Sequence, residues 1–182
     1  MVRQEDQRTT SSSVSSPPSC LHRHGILKLL RVAPLLSSTS ALMYCWDEHW
    51  FLSGFLQPAH REKSNALLPA YFHRFFHQGV FIVIGLNSLT IGTAAANLLS
   101  TARPVLQQSG RWYAAGLAFT VLHFAFVPFI AFPIRDIIED RSRGESTRDL
   151  RRWLDIHRIR VFVADIPSWA SFLAAVLTTF HL

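Results

Sequence analysis

Two long uncharged runs constrain the fold of this 182-residue chain more than any other feature. Gly79 to Ser100 extends for 22 residues without a charged side chain, and Trp112 to Ile134 extends for 23. A helix of about 20 apolar residues crosses the hydrocarbon core of a bilayer, which is roughly 30 Å thick. Each run therefore predicts a membrane-spanning helix.

Two further spans are predicted on either side of these runs. From Val161 to Leu182 the only charged side chain is Asp165, and the stretch from about Pro34 to Gln57 is the remaining apolar segment of sufficient length. The sequence thus predicts an all-α four-transmembrane-helix bundle, in which short loops give up-down-up-down order. A soluble bundle with a buried core is the alternative. The predicted spans cover approximately residues 34–57, 78–100, 112–133 and 160–180.

Prolines and small residues add detail to these spans. Pro34 fits the first turn of a helix, and Pro133 is expected to close the third span, because proline lacks the N–H that a helix interior uses. Ser88, Gly92 and Ala96 recur every four residues in the second span. This spacing predicts a face for close helix packing.

Composition excludes several classes of function. The formal net charge of +6 comes from Lys and Arg at the ends of the spans, where they reach lipid headgroups, and no aromatic-interleaved basic motif indicates a nucleic-acid partner. Cys20 and Cys45 are too far apart for a CxxC redox pair or a thiolate metal site. Residues 1–24, rich in Ser, Thr, Arg and Pro, predict a disordered tail before a single membrane domain over residues 25–182. We expect a multi-pass protein of the endomembrane system, in the endoplasmic reticulum.

Polar side chains are predicted to meet at one depth in the membrane. In the antiparallel order, Glu48, Asn87, His123 and Asp165 all lie roughly 12 to 15 Å from the same face. A charged group near the membrane centre costs at least about 2.5 kcal/mol, so it normally faces a partner or a cavity. Arg160 and His123 are the candidate partners of Asp165.

Three consecutive titratable residues, Asp47, Glu48 and His49, interrupt the first span. They are about 100° apart around a helix, so they cannot all face the interior. If the span begins earlier than Pro34, they lie at the water boundary and need no function. His73 and His77 are one turn apart and can hold a metal, but such a pair is more often an interfacial anchor, so no metal site is predicted.

The segment RRWLDIHRIR leads into the fourth span and contains Trp153, His157 and Arg160. This Trp-x3-His-x2-Arg pattern, directly followed by an apolar helix, resembles the signature that enters the last helix of the anthrone oxygenase-like family of small four-helix membrane proteins. The resemblance extends over about residues 33–182 through span count, loop lengths and the proline after the third span. The alternative for these three residues is an interfacial belt, with Trp at headgroup level and Arg reaching the surface.

This resemblance implies a cofactor-independent oxygenation that converts an anthrone to an anthraquinone with O₂ in aromatic polyketide biosynthesis. Its partners would be a lipophilic aromatic polyketide, O₂ and membrane lipid. His157 or Asp47 would remove the acidic proton, and Arg160 would steady the resulting anion. The expected aromatic slot consists of Trp46, Trp50, Phe72, Phe76 and Trp153. The other expected substrate contacts are Glu48, His49, His77, His123 and Asp165.

Two other classes of function fit the residues. A non-catalytic scaffold or accessory protein would use the polar layer only to lock the bundle and would have no cavity between its helices. A membrane cyclase or isomerase would use Asp47 or Glu48 as an acid on a lipophilic substrate, with the cavity centred on that carboxyl. An oxygenase would have its cavity nearer His157 and Arg160.

Overall fold

The fold consists of helices that follow one another with short connections. The computed structural model describes the backbone of residues 18–100 and 104–180, with side chains from residue 25 in the first part and from residue 108 in the second. The helices in chain order are α1 (Pro18–Ser53), two 3-10 turns (Gly54–Leu56 and Pro58–His60), α2 (Arg61–Leu99), α3 (Pro104–Phe124), α4 (Val127–Ile138), α5 (Ser146–Arg160), a π-helical segment (Val161–Asp165) and α6 (Ile166–Phe180).

Among the described residues, four helical stretches are long and apolar enough to cross a membrane: span 1 (Gly25–Leu56), span 2 (Pro58–Leu99), span 3 (Gln108–Ile138) and span 4 (Ser146–Phe180). Each packs on the next, and span 4 returns to span 1, which closes the bundle. The all-α, four-helix, up-down-up-down prediction is therefore confirmed over the described residues.

The bundle has an apolar cluster towards each end. Leu52, Phe72 and Trp153 belong to one cluster, and Tyr113 and Phe172 belong to the other. Between these two clusters, span 1 carries the polar stretch around Glu48. Burying the apolar groups stabilises both ends, so the polar residues in the middle need partners of their own.

Short polar side chains join the spans inside the bundle. The hydroxyls of Ser37 and Thr90 lie 2.7 Å apart and connect spans 1 and 2. Those of Thr120 and Ser168, also 2.7 Å apart, connect spans 3 and 4. Hydrogen bonds of this kind between membrane helices contribute roughly 0.6 kcal/mol each on average, so they fix the register of the helices more than they supply stability.

Spans 3 and 4 approach most closely at Gly116. A Cβ atom added at this glycine would lie 2.6 to 2.8 Å from three ring carbons of Phe172, which is closer than side chains pack. Only a residue without a side chain fits here, so Gly116 sets the distance between these two spans.

The proline predictions were wrong in position. Pro34 lies in the interior of α1, and Pro133 lies inside α4, buried against its neighbours. The third span is interrupted earlier, at residues 125–126, where Pro128 has no N–H to bond the carbonyl of Phe124. α4 then resumes the span and carries it to Ile138.

The small-residue face of span 2 is also placed differently from the prediction. Ser88 and Gly92 are exposed, and nothing lies within 4 Å of a Cβ added at Gly92. The buried side of the helix instead carries Asn87, Thr90 and Asn97. Thr90 bonds Ser37 of span 1, and Asn97 donates to the carbonyl of Leu30 of the same span at 2.8 Å, so these hydrogen bonds hold this face of the helix against span 1. The predicted tail lies outside the described residues as far as residue 17, and α1 begins at Pro18.

Candidate functional site

A π-helical segment of span 4 places Arg160 and Asp165 side by side. Over Val161–Asp165 the backbone follows i to i+5 hydrogen bonds, as the N–H of Ile166 shows by bonding the carbonyl of Val161. Pro167 follows at once and has no N–H to continue the α-helical pattern. In an α-helix Arg160 and Asp165 would be about 140° apart, but the π turn brings them onto one face.

Asp165 holds Arg160 and His123 in fixed positions. The Arg160 Nε–H donates to Asp165 Oδ2 at 3.3 Å, and His123 Nδ1 lies 2.8 Å from Asp165 Oδ1. Arg160 and His123 are buried, with 4% and 5% of their surface exposed. Because both carboxylate oxygens have a partner, Asp165 is the structural counter-ion of the site. This contact occupies the Nδ1 atom of His123, so the Nε2 atom of the ring remains available to accept or donate a proton.

The far side of the Arg160 guanidinium is surrounded by acceptors. Its Nη2 atom lies 3.2 Å from Cys45 Sγ and 3.1 Å from His157 Nδ1. His157 Nε2 is 3.0 Å from the Cys45 carbonyl, which can only accept, so this nitrogen carries the hydrogen and Nδ1 presents its lone pair to Arg160. The lone pair of His157 is therefore already in use.

Glu48 extends this polar cluster from span 1. Its Oε2 atom lies 3.7 Å from His157 Nδ1, and its Oε1 atom lies beside Gly79 of span 2. A Cβ at Gly79 would be 3.8 Å from Glu48 Oε1 and only 2.6 Å from the Tyr44 hydroxyl, so the glycine leaves room for both side chains. Tyr44 and Glu48 are one turn apart on α1 and face span 2 together.

One set of side chains within the cluster has the chemistry of a metal site. Cys45 Sγ, a Glu48 carboxylate oxygen and a ring nitrogen of His157 lie within 4.8 Å of one another, and such mixed ligands suit a transition metal. The Arg160 guanidinium, however, donates to both the thiol and the imidazole of this set. The positive charge of Arg160 therefore already lies beside the atoms that would bind a metal ion.

A cavity of about 490 Å³ opens beside the cluster, between span 2 and α4. Its polar wall is formed by Glu48, His123 and Arg160, and the indole of Trp153 lies beside them. Arg135 and Glu139, near the end of α4, line the opposite end. The remaining lining is apolar: Phe75, Phe76, Gly79, Val80, Val83, Ile84, Phe124, Val127, Ile130, Ala131, Ile134 and Ile138.

Several residues singled out in the sequence come together here. Arg160, Glu48, His123 and Trp153 line the cavity, as does Phe76 of the expected aromatic slot. Behind this wall, His157 stacks on Trp153 at 4.9 Å between ring centroids, and Asp165 accepts a hydrogen bond from Arg160. His49 lies parallel to His157 at 6.4 Å, and Phe72 belongs to the neighbouring apolar cluster.

Other residues singled out in the sequence lie elsewhere. Trp46 and Trp50 are 64% and 67% exposed on the outer surface of span 1. Asp47 lines a separate shallow groove between spans 1 and 2. His77 is exposed, and its Nδ1 atom lies 2.8 Å from the carbonyl of His73. Asn87 is buried but bonds the Val83 carbonyl of its own helix at 2.9 Å.

The site also includes residues that the sequence reasoning missed. Cys45 had no assigned role, yet its thiol is one of the groups that accept a hydrogen bond from Arg160. The cavity-lining face of α4 was missed as well. Val127, Ile130, Ile134 and Ile138 recur at three- and four-residue intervals, a periodicity that marks one face of a helix. The periodicity is difficult to recognise in the sequence because almost every residue of this segment is apolar, whichever side of the helix it lies on.

Comparison with known proteins identifies relatives of similar length. The chain is 33% identical over 155 residues to the probable epoxidase scpX of Mollisia scopiformis, covering 84% of this chain and 96% of that protein. It is 32% identical to the epoxidase pydX of an Acremonium species, covering 83% and 94%, and 27% identical to the epoxidase gkaX of Penicillium citrinum, covering 84% and 95%. No protein-family model matches the chain, and no solved structure matches it.

Proposed function

The chain belongs to the family of fungal proteins that includes the probable epoxidase scpX and the epoxidase pydX, and from this premise we propose that it is a membrane enzyme that oxidises a lipophilic secondary-metabolite precursor with O₂. One observation carries the proposal. An apolar cavity between the spans has a polar wall in which the Arg160 guanidinium stands beside the His123 imidazole and the Glu48 carboxyl. Such a wall supplies what an oxygenation of an acidic carbon needs, a base and a cation.

The cavity fits a lipid-soluble substrate. Ligand pockets measure roughly 300 to 1,000 Å³ and are mostly apolar with a few polar groups that set orientation, as in this cavity of about 490 Å³. Ile84 and Val127 line it and are exposed on the outer surface of the bundle. A substrate dissolved in the bilayer can therefore enter between span 2 and α4.

His123 is the proposed general base. Asp165 binds its Nδ1 atom, so the lone pair of the cavity-side imidazole is carried by Nε2, an arrangement known from carboxylate–histidine pairs in hydrolases. His157, the base expected from the resemblance, has its lone pair on Nδ1 occupied by Arg160. Asp47 lines another groove. The cavity thus supports His123 in this role over both.

Arg160 is the proposed anion holder. When a proton leaves a carbon next to a carbonyl, the negative charge moves onto oxygen, and a fixed cation in a water-poor site stabilises that charge more strongly than one in water. Arg160 lines the cavity and is held by Asp165, so it needs no rearrangement to meet the anion.

The oxygenation itself needs no further reductant in this scheme, because the substrate anion supplies the electrons. The anion transfers an electron to O₂, and the two radicals combine to a peroxide on the same carbon. The peroxide then passes its outer oxygen to a neighbouring C=C bond, which yields an epoxide and an alkoxide, and the alkoxide takes back the proton from His123. One substrate and one O₂ give one hydroxy-epoxide.

Conversion of an anthrone to an anthraquinone is the second candidate outcome. It uses the same base and cation, but its peroxide loses water instead of passing on an oxygen atom. The aromatic side chains in the cavity wall, Phe75, Phe76, Phe124 and Trp153, favour a flat substrate of this kind. A scaffold without a cavity, the alternative from the sequence, does not account for this cavity and its polar wall.

The proposal is tested with the protein in nanodiscs under ¹⁸O₂. The substrates are a panel of lipophilic β-dicarbonyl compounds that carry an alkene, together with a panel of anthrones, and products are identified by mass spectrometry. We expect two ¹⁸O atoms in a hydroxy-epoxide or one in a quinone. His123→Asn should lower the rate roughly 10²- to 10⁴-fold, the usual contribution of a general base. His73→Asn, an exposed histidine of span 2, is the matched control and should keep full activity.

Two results would contradict the proposal. The first is conversion no faster than in empty nanodiscs, with circular dichroism showing a folded protein. The second is a His123→Asn variant as active as the wild type.

A further inference from the structure

The oxygenation scheme leaves one side chain of the polar wall unused. Glu48 lines the cavity and is 8% exposed, yet the base is His123 and the cation is Arg160. A carboxyl group placed in an apolar cavity near the membrane centre is costly, so its presence calls for a role. We propose, building on the proposed function, that Glu48 is an acid that opens epoxides in this cavity, so that the enzyme also isomerises its own oxidation product.

The two carboxyl groups of the site have different surroundings. Asp165 has Arg160 on one oxygen and His123 on the other, and these contacts hold its charge. Among the residues that the structure describes, no arginine or lysine forms an ion pair with Glu48. The His157 Nδ1 atom lies 3.7 Å from Glu48 Oε2 and already accepts a hydrogen bond from Arg160. Asp165 is thus built to stay an anion, and Glu48 is the group free to hand a proton to a ligand.

The neighbours of Glu48 support an acid role. Gly79 leaves space on the span 2 side for both the Tyr44 hydroxyl and Glu48 Oε1, so a phenol O–H lies beside the carboxyl group. Aromatic rings of Phe76, Phe124 and Trp153 line the same cavity. Their faces can stabilise a carbocation that forms when an epoxide opens.

The proposed step is a balanced isomerisation. The Glu48 carboxyl group donates its proton to the epoxide oxygen, and the C–O bond at the more substituted carbon breaks, which leaves a hydroxyl group and a carbocation. The cation loses a proton from an adjacent carbon to give an allylic alcohol, or is attacked by an internal alkene that then loses a proton and closes a ring. In both cases the released proton returns to the Glu48 carboxylate. No oxidant, reductant or water is consumed.

The test uses epoxides supplied without O₂, so that it does not depend on the oxygenation. The probes are 6,7-epoxygeranyl acetate and 10,11-epoxyfarnesyl acetate, incubated anaerobically with the full-length protein in nanodiscs and analysed by gas chromatography with mass spectrometry. We expect products of unchanged mass that are allylic alcohols or rings. Glu48→Gln should slow their formation at least tenfold, whereas Glu48→Asp should retain part of the rate. Glu62→Gln, which changes an exposed carboxyl of span 2, is the control and should match the wild type.

The outcomes separate this inference from the proposed function. The inference is overturned if wild-type protein opens neither epoxide faster than empty nanodiscs, or if a folded Glu48→Gln variant opens them at the wild-type rate. Neither result would contradict the proposed oxygenation, which is tested separately by ¹⁸O incorporation. If no substrate is oxidised under ¹⁸O₂ but epoxides are opened in a Glu48-dependent manner, the proposed oxygenation is wrong and the acid role of Glu48 holds.

Discussion

Removing the Asp165 carboxylate should destabilise the protein strongly, because it leaves the Arg160 guanidinium buried without its counter-ion. The Arg160 Nε and Asp165 Oδ2 atoms are 3.3 Å apart, and Arg160 is 4% exposed. At an effective dielectric constant of about 20, two unit charges at this distance attract by roughly 5 kcal/mol. Cys45 and His157 remain as acceptors for Arg160, so part of this energy is retained.

We therefore expect Asp165→Ala to lower the free energy of unfolding by about 3 kcal/mol, at the lower end of the range for breaking one partner of a buried ion pair. Since about 1.4 kcal/mol is a factor of ten, the ratio of folded to unfolded protein should fall roughly a hundredfold. The assay is reversible unfolding of purified protein in mixed micelles with increasing SDS, followed by circular dichroism.

Asp155→Ala is the matched control in the same span. Asp155 Oδ1 and Arg158 Nη2 are closer, at 2.9 Å, but both side chains are more than half exposed. Solvent screens such pairs, and a helical pair of this kind contributes about 0.3 to 0.5 kcal/mol. If the two variants lose the same stability within about 0.5 kcal/mol, burial does not determine the strength of the Asp165 pair, and the reasoning is refuted.

Three further predictions follow from the packing and the cavity. Gly116→Ala should lower the free energy of unfolding by about 1 to 3 kcal/mol because the new methyl group meets the Phe172 ring, whereas Gly92→Ala should be neutral or slightly stabilising, and equal SDS unfolding curves would contradict this. Pro167→Ala supplies the missing N–H, so the π-helical segment should relax and ¹⁸O incorporation should fall at least tenfold without loss of fold; an unchanged rate would contradict it. Asp47→Asn should retain ¹⁸O incorporation because its side chain lines a different groove, and a tenfold loss would show that the groove belongs to the active site.

The sequence by itself determined the number, type and order of the spans. Runs such as 79–100 contain no charge over a membrane thickness, and an apolar helix is then the way to satisfy every backbone group inside a bilayer. The similar depth of Glu48, His123 and Asp165 also followed from counting residues along antiparallel helices, and the structure brings these three into one cluster.

Only the tertiary structure decided how each helix is rotated and where it bends. Counting residues along a helix gives the depth of each residue in the membrane. It does not show that Asp47 and Trp46 point away from the cavity, because that depends on which neighbours accept the hydrogen bonds of span 1. The pairing of Arg160 with Asp165 depends on a π turn. A helical wheel drawn for an α-helix places these two residues on different faces, whereas the π turn brings them together. The pocket itself exists because span 3 breaks before α4 and leaves a gap beside span 2, and such a gap arises from packing between segments that no single stretch of sequence encodes.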